Sequence, residues 1–212
     1  MSTPMSDLAR ALHHSADLLI ARGHGAEALN EALRHVQAAN LLLEHGDVLT
    51  PEHRVLVFAS EMVATLGATV PADGEHFTAF NRSPFSGPEN ALSPTSVTYQ
   101  RVANEVHAEV TIGAAYEGAT GRSHGGLTAA IFDDLMGAAQ RVVGCHGYTR
   151  TLEVTYLGRV PFDEAVSFVA RLESDDERTF TMSSEAIFDG EPVATATAVF
   201  TKVDFERLAE GS

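Results

Sequence analysis

The chain has 212 residues, of which 44% are hydrophobic and 20% charged, and its formal net charge is −15. This composition supports a buried core and excludes a disordered tail. With one lysine and an acidic balance, the chain lacks the basic surface that nucleic-acid-binding proteins and proteins docked on anionic membranes require. These two classes of partner are therefore not expected.

The cysteine and histidine content narrows the cellular setting. Cys145 is the single cysteine, so no intrachain disulfide can form and a reducing compartment is expected. The sequence MSTPMSDLAR lacks the basic and apolar regions of a signal peptide, and no apolar run approaches the length of a membrane span. The histidines lack the spacing of metal ligands. We expect a cytoplasmic protein without a bound metal.

The first 70 residues predict helices. Apolar residues recur at helical spacing over residues 8–19 and 29–43, and the second pattern ends at Gly46. Thr50 followed by proline is typical of a helix start, and VLVFASEMVATLG predicts a third helix that ends at Gly67. Residues 1–70 are thus predicted to form an α-helical N-terminal extension. We expect its apolar stripes to pack against the rest of the protein.

Residues 71–95 differ in composition from the segments on either side. The run PADGEHFTAFNRSPFSGPENALSPT is rich in proline, glycine, serine and asparagine, which is typical of a linker or a long loop. Ordered loops of this length often carry function. Whether this one does, or only joins two units, stays open from the sequence.

From residue 96 onward the hydrophobic period changes to two. The run EVHAEVTIG alternates apolar and polar residues, which predicts a half-buried antiparallel strand. A long helix then extends to about Val143, followed by YTRTLEVTYLG, AVSFVARLE, TFTMSSEAIF and PVATATAVFTKV as four strands. SDDER and DGE are hairpin signals between the last three. Residues 96–212 therefore predict an α+β domain, and a sheet with only one covering helix favours self-association.

The start of the long helix carries two adjacent glycines. Gly125 and Gly126 follow His124, and the N–H groups at a helix start have no intrahelical partner. With the helix dipole, such N–H groups suit a phosphate, a carboxylate or a developing oxyanion. Close packing of the helix start against a strand would also explain the glycines. The glycines alone do not decide between the two interpretations.

Asp133 lies within an apolar stretch of the same helix. A lone carboxylate there is costly unless it is paired or used. Asp134 lies about 100° further around the helix, so a solvated face or a salt bridge remains open for the pair. Gly125 and Asp133 are roughly 12 Å apart along the helix, too far to contact one carbonyl group. If both serve one reaction, they come from two chains related by a two-fold axis, which predicts a homodimer.

The run AYEGATGRSHGGLTAAIFDD resembles the signature of hotdog-fold acyl-CoA thioesterases of the phenylacetate-pathway type. That family has a Tyr/Phe-Glu-Gly-Pro-Pro-Gly stretch, then His-Gly-Gly, then an aspartate nine residues after the histidine. The matching residues here are Tyr116, Glu117, Gly118, Gly121, His124, Gly125, Gly126 and Asp133. TRTLEVTY resembles the next strand of the family, with Thr149 seven residues before Tyr156. The resemblance covers about residues 80–203. Ala119 and Thr120 depart from it, because they replace the usual prolines.

The resemblance implies a hotdog fold, in which an antiparallel sheet wraps around one long central helix. It also implies hydrolysis of acyl-CoA to a carboxylic acid and free CoA, with CoA as part of the substrate and no separate cofactor. The N–H of Gly125, helped by Gly126, would bind the thioester oxygen, and the partner's Asp133 would act as base or nucleophile. Thr149 would position the water or the carboxylate, and His124 would order the turn. A homodimer or a homotetramer would follow.

Two other functions fit part of the sequence. A non-catalytic acyl-CoA-binding module would keep the hotdog fold and not the turnover; the altered loop at Ala119 allows it, while Asp133 and Thr149 argue against it. A hotdog dehydratase or hydratase would need a histidine and an acid at a different spacing, which HGGLTAAIFDD lacks. A metal hydrolase lacks ligands at a suitable spacing.

Overall fold

The computed structural model describes residues 3–50, 69–93, 96–119 and 121–203. Its helices are α1 (Pro4–Ala21), α2 (Ala26–Leu43) and α3 (Gly125–Val143), with a 3-10 turn at Ala114–Tyr116. Its strands are β1 (His76–Phe77), β2 (Ser96–Val102), β3 (Glu105–Thr111), β4 (Gly147–Tyr156), β5 (Ala165–Asp175), β6 (Thr179–Phe188) and β7 (Glu191–Lys202). The predicted order of strands around one long helix is confirmed. The predicted third N-terminal helix falls outside the described residues.

The described strands form one antiparallel sheet in the order β1-β2-β3-β5-β6-β7-β4. The three strands β5, β6 and β7 follow one another as hairpins, as the turn signals predict. The turn between β6 and β7 has positive φ at both Asp189 (53°) and Gly190 (80°), which is the geometry that an Asp-Gly hairpin favours. Strand β4 crosses back to lie at one edge of the sheet, beside β7.

Helix α3 packs across one face of this sheet and contacts every strand from β2 to β7. Phe132, Leu135 and Met136 are completely buried on this side of the helix, and the Phe132 ring meets the Phe168 ring edge-on at 5.2 Å. Burial of each of these side chains contributes roughly 2 kcal/mol or more to folding. Phe132 and Met136 are therefore core residues. The buried apolar residues that alternate along the strands form most of the rest of the core.

The N-terminal helices do not pack as the sequence predicts. Helix α1 starts with a capping box at Thr3 and contacts the 3-10 turn. Its buried residues are Ser6, Ala9 and His13, whereas the predicted apolar stripe is exposed, with Leu19 at 57%. Helix α2 has no buried residue. The expected packing of the stripes is therefore wrong for α1 and α2 within the protomer. Helix α1 makes its contacts instead through hydrogen-bonding side chains on another face.

The predicted loop after residue 70 is packed against the domain. It contains the two-residue strand β1, which pairs with β2. Ala79 is buried, and the side chains of Phe77, Phe80 and Phe85 pack against the core. Apolar burial of this kind fixes a loop in place and brings its polar groups to defined positions. None of the helices in the described part of the chain is long and apolar enough to cross a membrane.

Candidate active site

The start of helix α3 leaves one backbone donor available. His124 is the N-cap residue, and its Nδ1 accepts the N–H of Gly126 at 3.0 Å. A Cβ atom at position 126 would lie 3.1 Å from that nitrogen, so glycine leaves room for the His124 imidazole ring. Within the described residues, the N–H of Gly125 has no hydrogen-bond partner. Of the two predicted oxyanion donors, the geometry leaves Gly125 available and uses Gly126 for the cap.

Tyr156 on strand β4 covers the other side of Gly125. Its hydroxyl donates to the carbonyl oxygen of Gly125 at 2.6 Å. A Cβ atom at position 125 would lie 3.2 Å from the Tyr156 oxygen and 3.3 Å from Cζ, so a larger residue would crowd the ring. Sequence reasoning assigned no role to this tyrosine. The signal for it was its spacing of seven residues from Thr149 on the same strand.

A cavity of about 180 Å³ opens beside Gly125. Arg122, Thr128, Tyr156 and Val160 are among the residues that line it. The cavity combines an apolar wall with an unpaired N–H and a nearby cation, which is the composition of a small-molecule site. Gly125 itself is one of the lining residues.

The turn before α3 is held by backbone hydrogen bonds. The N–H of His124 donates to the Tyr116 carbonyl at 2.8 Å, and the N–H of Ser123 donates to the Val160 carbonyl at 2.8 Å. The Glu117 carboxylate accepts the N–H of Gly121 at 3.1 Å. These contacts order a turn that lacks the prolines of the resembling family. Thr120 lies outside the described residues.

Asp133 forms a pair with Thr149. The Thr149 hydroxyl, on strand β4, donates to Asp133 Oδ1 at 2.8 Å. Asp133 is half-buried and Thr149 is exposed. Among the described residues, nothing donates to the second oxygen, Oδ2. The carboxylate is thus oriented through one oxygen, while the other is available to a water molecule or an acyl carbon.

The neighbouring Asp134 faces a different part of the protein. Both of its oxygens accept hydrogen bonds, one from the Ser83 hydroxyl at 2.5 Å and the other from the Tyr99 hydroxyl. Tyr99 is 3% exposed; burial first, and the Asp134 charge second, raise the pKa of its hydroxyl well above the ordinary value. Asp134 therefore ties α3 to strand β2 and to the loop that contains Ser83. Neither aspartate belongs to a purely solvated helix face.

The structure places the predicted residues in two separate groups. His124, Gly125 and Gly126 lie at the start of α3, whereas Asp133 and Thr149 lie together further along it. The helical rise puts roughly 12 Å between Gly125 and Asp133. One protomer therefore does not bring donor and carboxylate to a single carbonyl group. The described residues also contain no cluster of three or more side chains suited to hold a metal ion.

Comparison with known proteins by sequence gives no match. No protein-family model matches the chain. No curated protein matches it either.

Comparison by structure shows the fold. A crystal structure of a thioesterase superfamily protein matches 95% of this chain and 92% of its own, with a TM-score of 0.77 and 23% identity. This match confirms the hotdog fold. It covers more of the chain than the core domain, and at this identity it shows the fold alone.

Two further solved structures cover about half of the chain. A hypothetical thioesterase from Streptococcus pneumoniae with coenzyme A covers 47% of this chain and 81% of its own (TM-score 0.45, 19% identity). A thioesterase related to phenylacetic acid degradation, from Ralstonia eutropha, covers 50% and 84% (TM-score 0.46, 24% identity). Both are named as thioesterases.

Proposed function

We propose that this protein is an acyl-CoA thioesterase that hydrolyses a thioester to a carboxylic acid and free CoA. The observation that carries the proposal is the Asp133–Thr149 pair, in which one carboxylate oxygen is oriented and the other is available. The unpaired N–H of Gly125, at the positive end of the same helix, supplies the complementary oxyanion donor. A carboxylate that acts as base or nucleophile and a donor to the oxyanion are together sufficient to catalyse thioester hydrolysis.

Assembly of the two groups requires a second copy of the chain. Strand β4 is an edge strand of ten residues that carries both Thr149 and Tyr156. Tyr148 and Leu157, at or next to its ends, are more than half exposed. A long exposed edge strand is suited to pair with another strand. Antiparallel pairing of two such edges about a two-fold axis would bring Gly125 of one protomer towards Asp133 of the other.

The reaction follows from these positions. The partner's Asp133 accepts a proton from water as the water oxygen bonds to the thioester carbonyl carbon. The carbonyl electron pair moves to its oxygen, where the N–H of Gly125 stabilises the negative charge. Collapse of this intermediate breaks the carbon–sulfur bond and expels the CoA thiolate, which takes up a proton. Direct attack by the Asp133 carboxylate to give an anhydride, which water then hydrolyses, uses the same geometry.

The experiment is thiol release from short, medium, long and aryl acyl-CoAs by wild type and by Gly125→Pro. Proline is tolerated at the first helical position and removes the N–H. It also adds a Cβ next to Tyr156, so Gly125→Ala, which adds the same Cβ and keeps the N–H, is the matched control. His124 already has the extended backbone (ψ 126°) that precedes proline. Loss of this donor is expected to lower kcat by about a hundredfold.

The same experiment distinguishes an enzyme from a binding module. Wild type that releases no thiol from any substrate, yet binds acyl-CoA in calorimetry, would replace the thioesterase by a non-catalytic acyl-CoA-binding module. Equal kcat for wild type and Gly125→Pro would remove Gly125 from the mechanism. Circular dichroism of both proteins serves as the folding control.

A further inference from the structure

Helix α1 contacts the turn that leads into the candidate active site. The carboxylate Oδ1 of Asp17 accepts the backbone N–H of Ala115 at 2.9 Å, within the 3-10 turn. Residues 17 and 115 are far apart in the chain, so this contact joins the N-terminal extension directly to the catalytic domain. The Asp17 side chain is 18% exposed, so water competes weakly for the bond.

Gly113 leaves the space that the Asp17 carboxylate occupies. A Cβ atom at position 113 would lie 2.4 Å from Asp17 Oδ1, 2.5 Å from Oδ2 and 2.7 Å from Cγ. No real side chain tolerates such distances. The φ of Gly113 is −75°, a value open to any residue, so steric room and not backbone conformation requires the glycine. Position 113 and position 17 are therefore fitted to each other.

His13, one helical turn before Asp17, contacts the same 3-10 turn through the Tyr116 ring. It is 4% exposed, its Nε2 lies 3.4 Å from Asp17 Oδ2, and its ring stacks on the Tyr116 ring with 5.8 Å between centroids. Its Nδ1 lies 3.2 Å from the carbonyl oxygen of Ala91. A carbonyl oxygen only accepts, so Nδ1 carries the proton in this contact. The ring thus stacks on Tyr116 and donates to the Ala91 carbonyl, whereas its buried Nε2 has no hydrogen-bond partner among the described residues.

The 3-10 turn connects the Asp17 contact to the start of helix α3. The carbonyl of Tyr116, the last residue of the turn, accepts the N–H of His124 at 2.8 Å. His124 in turn caps α3 through Gly126 and precedes Gly125 directly. The path from the Asp17 contact to Gly125, which lines the candidate cavity, is therefore the peptide link from Ala115 to Tyr116, one hydrogen bond, and the peptide link from His124 to Gly125.

We propose that Asp17, supported by His13, is a positioning residue for the Gly125 oxyanion donor. The inference rests on the proposed thioesterase function for its kinetic consequence, and on geometry alone for its structural one. Helix α1 would then act through its polar side chains, while its apolar stripe stays exposed. Removal of the carboxylate would let the 3-10 turn shift and would misplace His124 and Gly125 together.

The test combines amide hydrogen exchange with kinetics for four proteins: wild type, Asp17→Ala, Asp17→Asn and Asp7→Asn. Asp7 is an exposed carboxylate on the same helix and serves as the matched control. Asp17→Ala is expected to speed exchange at Ala115 and also at His124 and Gly126, and to lower kcat about tenfold with little change in KM. Asp17→Asn keeps an oxygen acceptor and is expected to behave like wild type, as is Asp7→Asn.

A second pair of variants guards against a general loss of folding. Gly113→Ala expels the Asp17 side chain sterically and is expected to reproduce the effects of Asp17→Ala. The double variant Gly113→Ala, Asp17→Ala is expected to be no worse than Asp17→Ala, because the two changes remove one contact. Additive losses in the double variant would contradict the proposed fit.

The outcomes separate this inference from the proposed function. Faster exchange in Asp17→Ala that stays confined to Ala115, with unchanged kcat, would overturn the positioning role. Equal loss of kcat in Asp17→Asn and Asp17→Ala would also overturn it, because the charge and not the contact would then matter. If wild type hydrolyses no thioester, the proposed function fails while exchange at His124 and Gly126 still decides whether Asp17 positions the helix start.

Discussion

Asp133 and Asp134 are adjacent in the chain, yet they belong to two different regions of the molecule. Asp134 is held through both oxygens by Tyr99 and Ser83, and it joins the central helix to β2 and the preceding loop. Asp133 is held through one oxygen by Thr149, beside the exposed edge strand β4. A carboxylate with every acceptor occupied stabilises a fold, whereas one with an available oxygen can do chemistry. The partners of each side chain, and not its position in the motif alone, distinguish the two aspartates.

The largest expected effect is on turnover in Asp133→Asn. An amide cannot accept the proton from water, so kcat is expected to fall by about a thousandfold. Asparagine keeps an oxygen that accepts the Thr149 hydroxyl, so the thermal midpoint should stay close to that of wild type. Thiol release and calorimetric melting measure the two quantities. Retention of kcat within a few-fold would show that Asp133 is not the catalytic group.

Asp134→Ala is expected to give the opposite pattern. The change leaves the hydroxyls of Tyr99 and Ser83 without their acceptor inside the protein, and the free energy of unfolding is expected to fall by about 3 kcal/mol. The folded fraction should keep most of its turnover. Urea unfolding and kinetics on the same preparation test this. A large loss of kcat with unchanged stability would exchange the roles of the two aspartates.

Thr149→Val tests the proposed role of the hydrogen bond between Thr149 and Asp133. The change preserves the shape of the side chain and removes the hydroxyl that orients Asp133, so kcat is expected to fall by about tenfold. Thr155→Val, at another exposed position of β4, is the matched control and should match wild type. If both variants lose turnover equally, the effect comes from the strand and not from the hydrogen bond.

Tyr99→Phe tests the structural role of the Tyr99–Asp134 contact through the pH dependence of the unfolding free energy. Because the folded pKa of Tyr99 is raised, the folded protein keeps the proton that the unfolded chain releases. Its contribution to stability is therefore complete below the unfolded value of about 10 and is lost as the pH rises above it. Wild type should lose unfolding free energy above that pH more steeply than Tyr99→Phe, by up to about 1.4 kcal/mol per pH unit. Parallel curves would show that Tyr99 is not coupled to folding in this way.

Local sequence signals predicted most of the fold. Alternation of apolar residues identified the strands from residue 96 onward, and Asp189-Gly190 gave the turn of the last hairpin. Strands and tight turns depend on residues that are close in the sequence, so the local pattern of residues is enough to predict them. The spacing between His124 and Asp133 likewise pointed to the start and the middle of the central helix.

Contacts between distant segments could not be predicted in this way. Asp134 and Ser83 are 51 residues apart, and nothing in either local sequence specifies the other. The packing of α1 was missed for a related reason. A hydrophobic pattern predicts burial of the leucine face, whereas His13 and Asp17 make the contact through polar atoms. The side-chain cap by His124, which uses the N–H of Gly126, also required the three-dimensional geometry.

The most direct test of a site shared between two chains is subunit complementation. Asp133→Asn and Gly125→Pro are each expected to be nearly inactive, and the two proteins are mixed under conditions that exchange subunits. If Gly125 of one chain acts with Asp133 of the other, each mixed dimer regains one intact site. Random mixing then restores about a quarter of wild-type turnover, with native mass spectrometry confirming the mixed dimers. Mixed dimers that form and stay as inactive as the two parents would contradict the shared site.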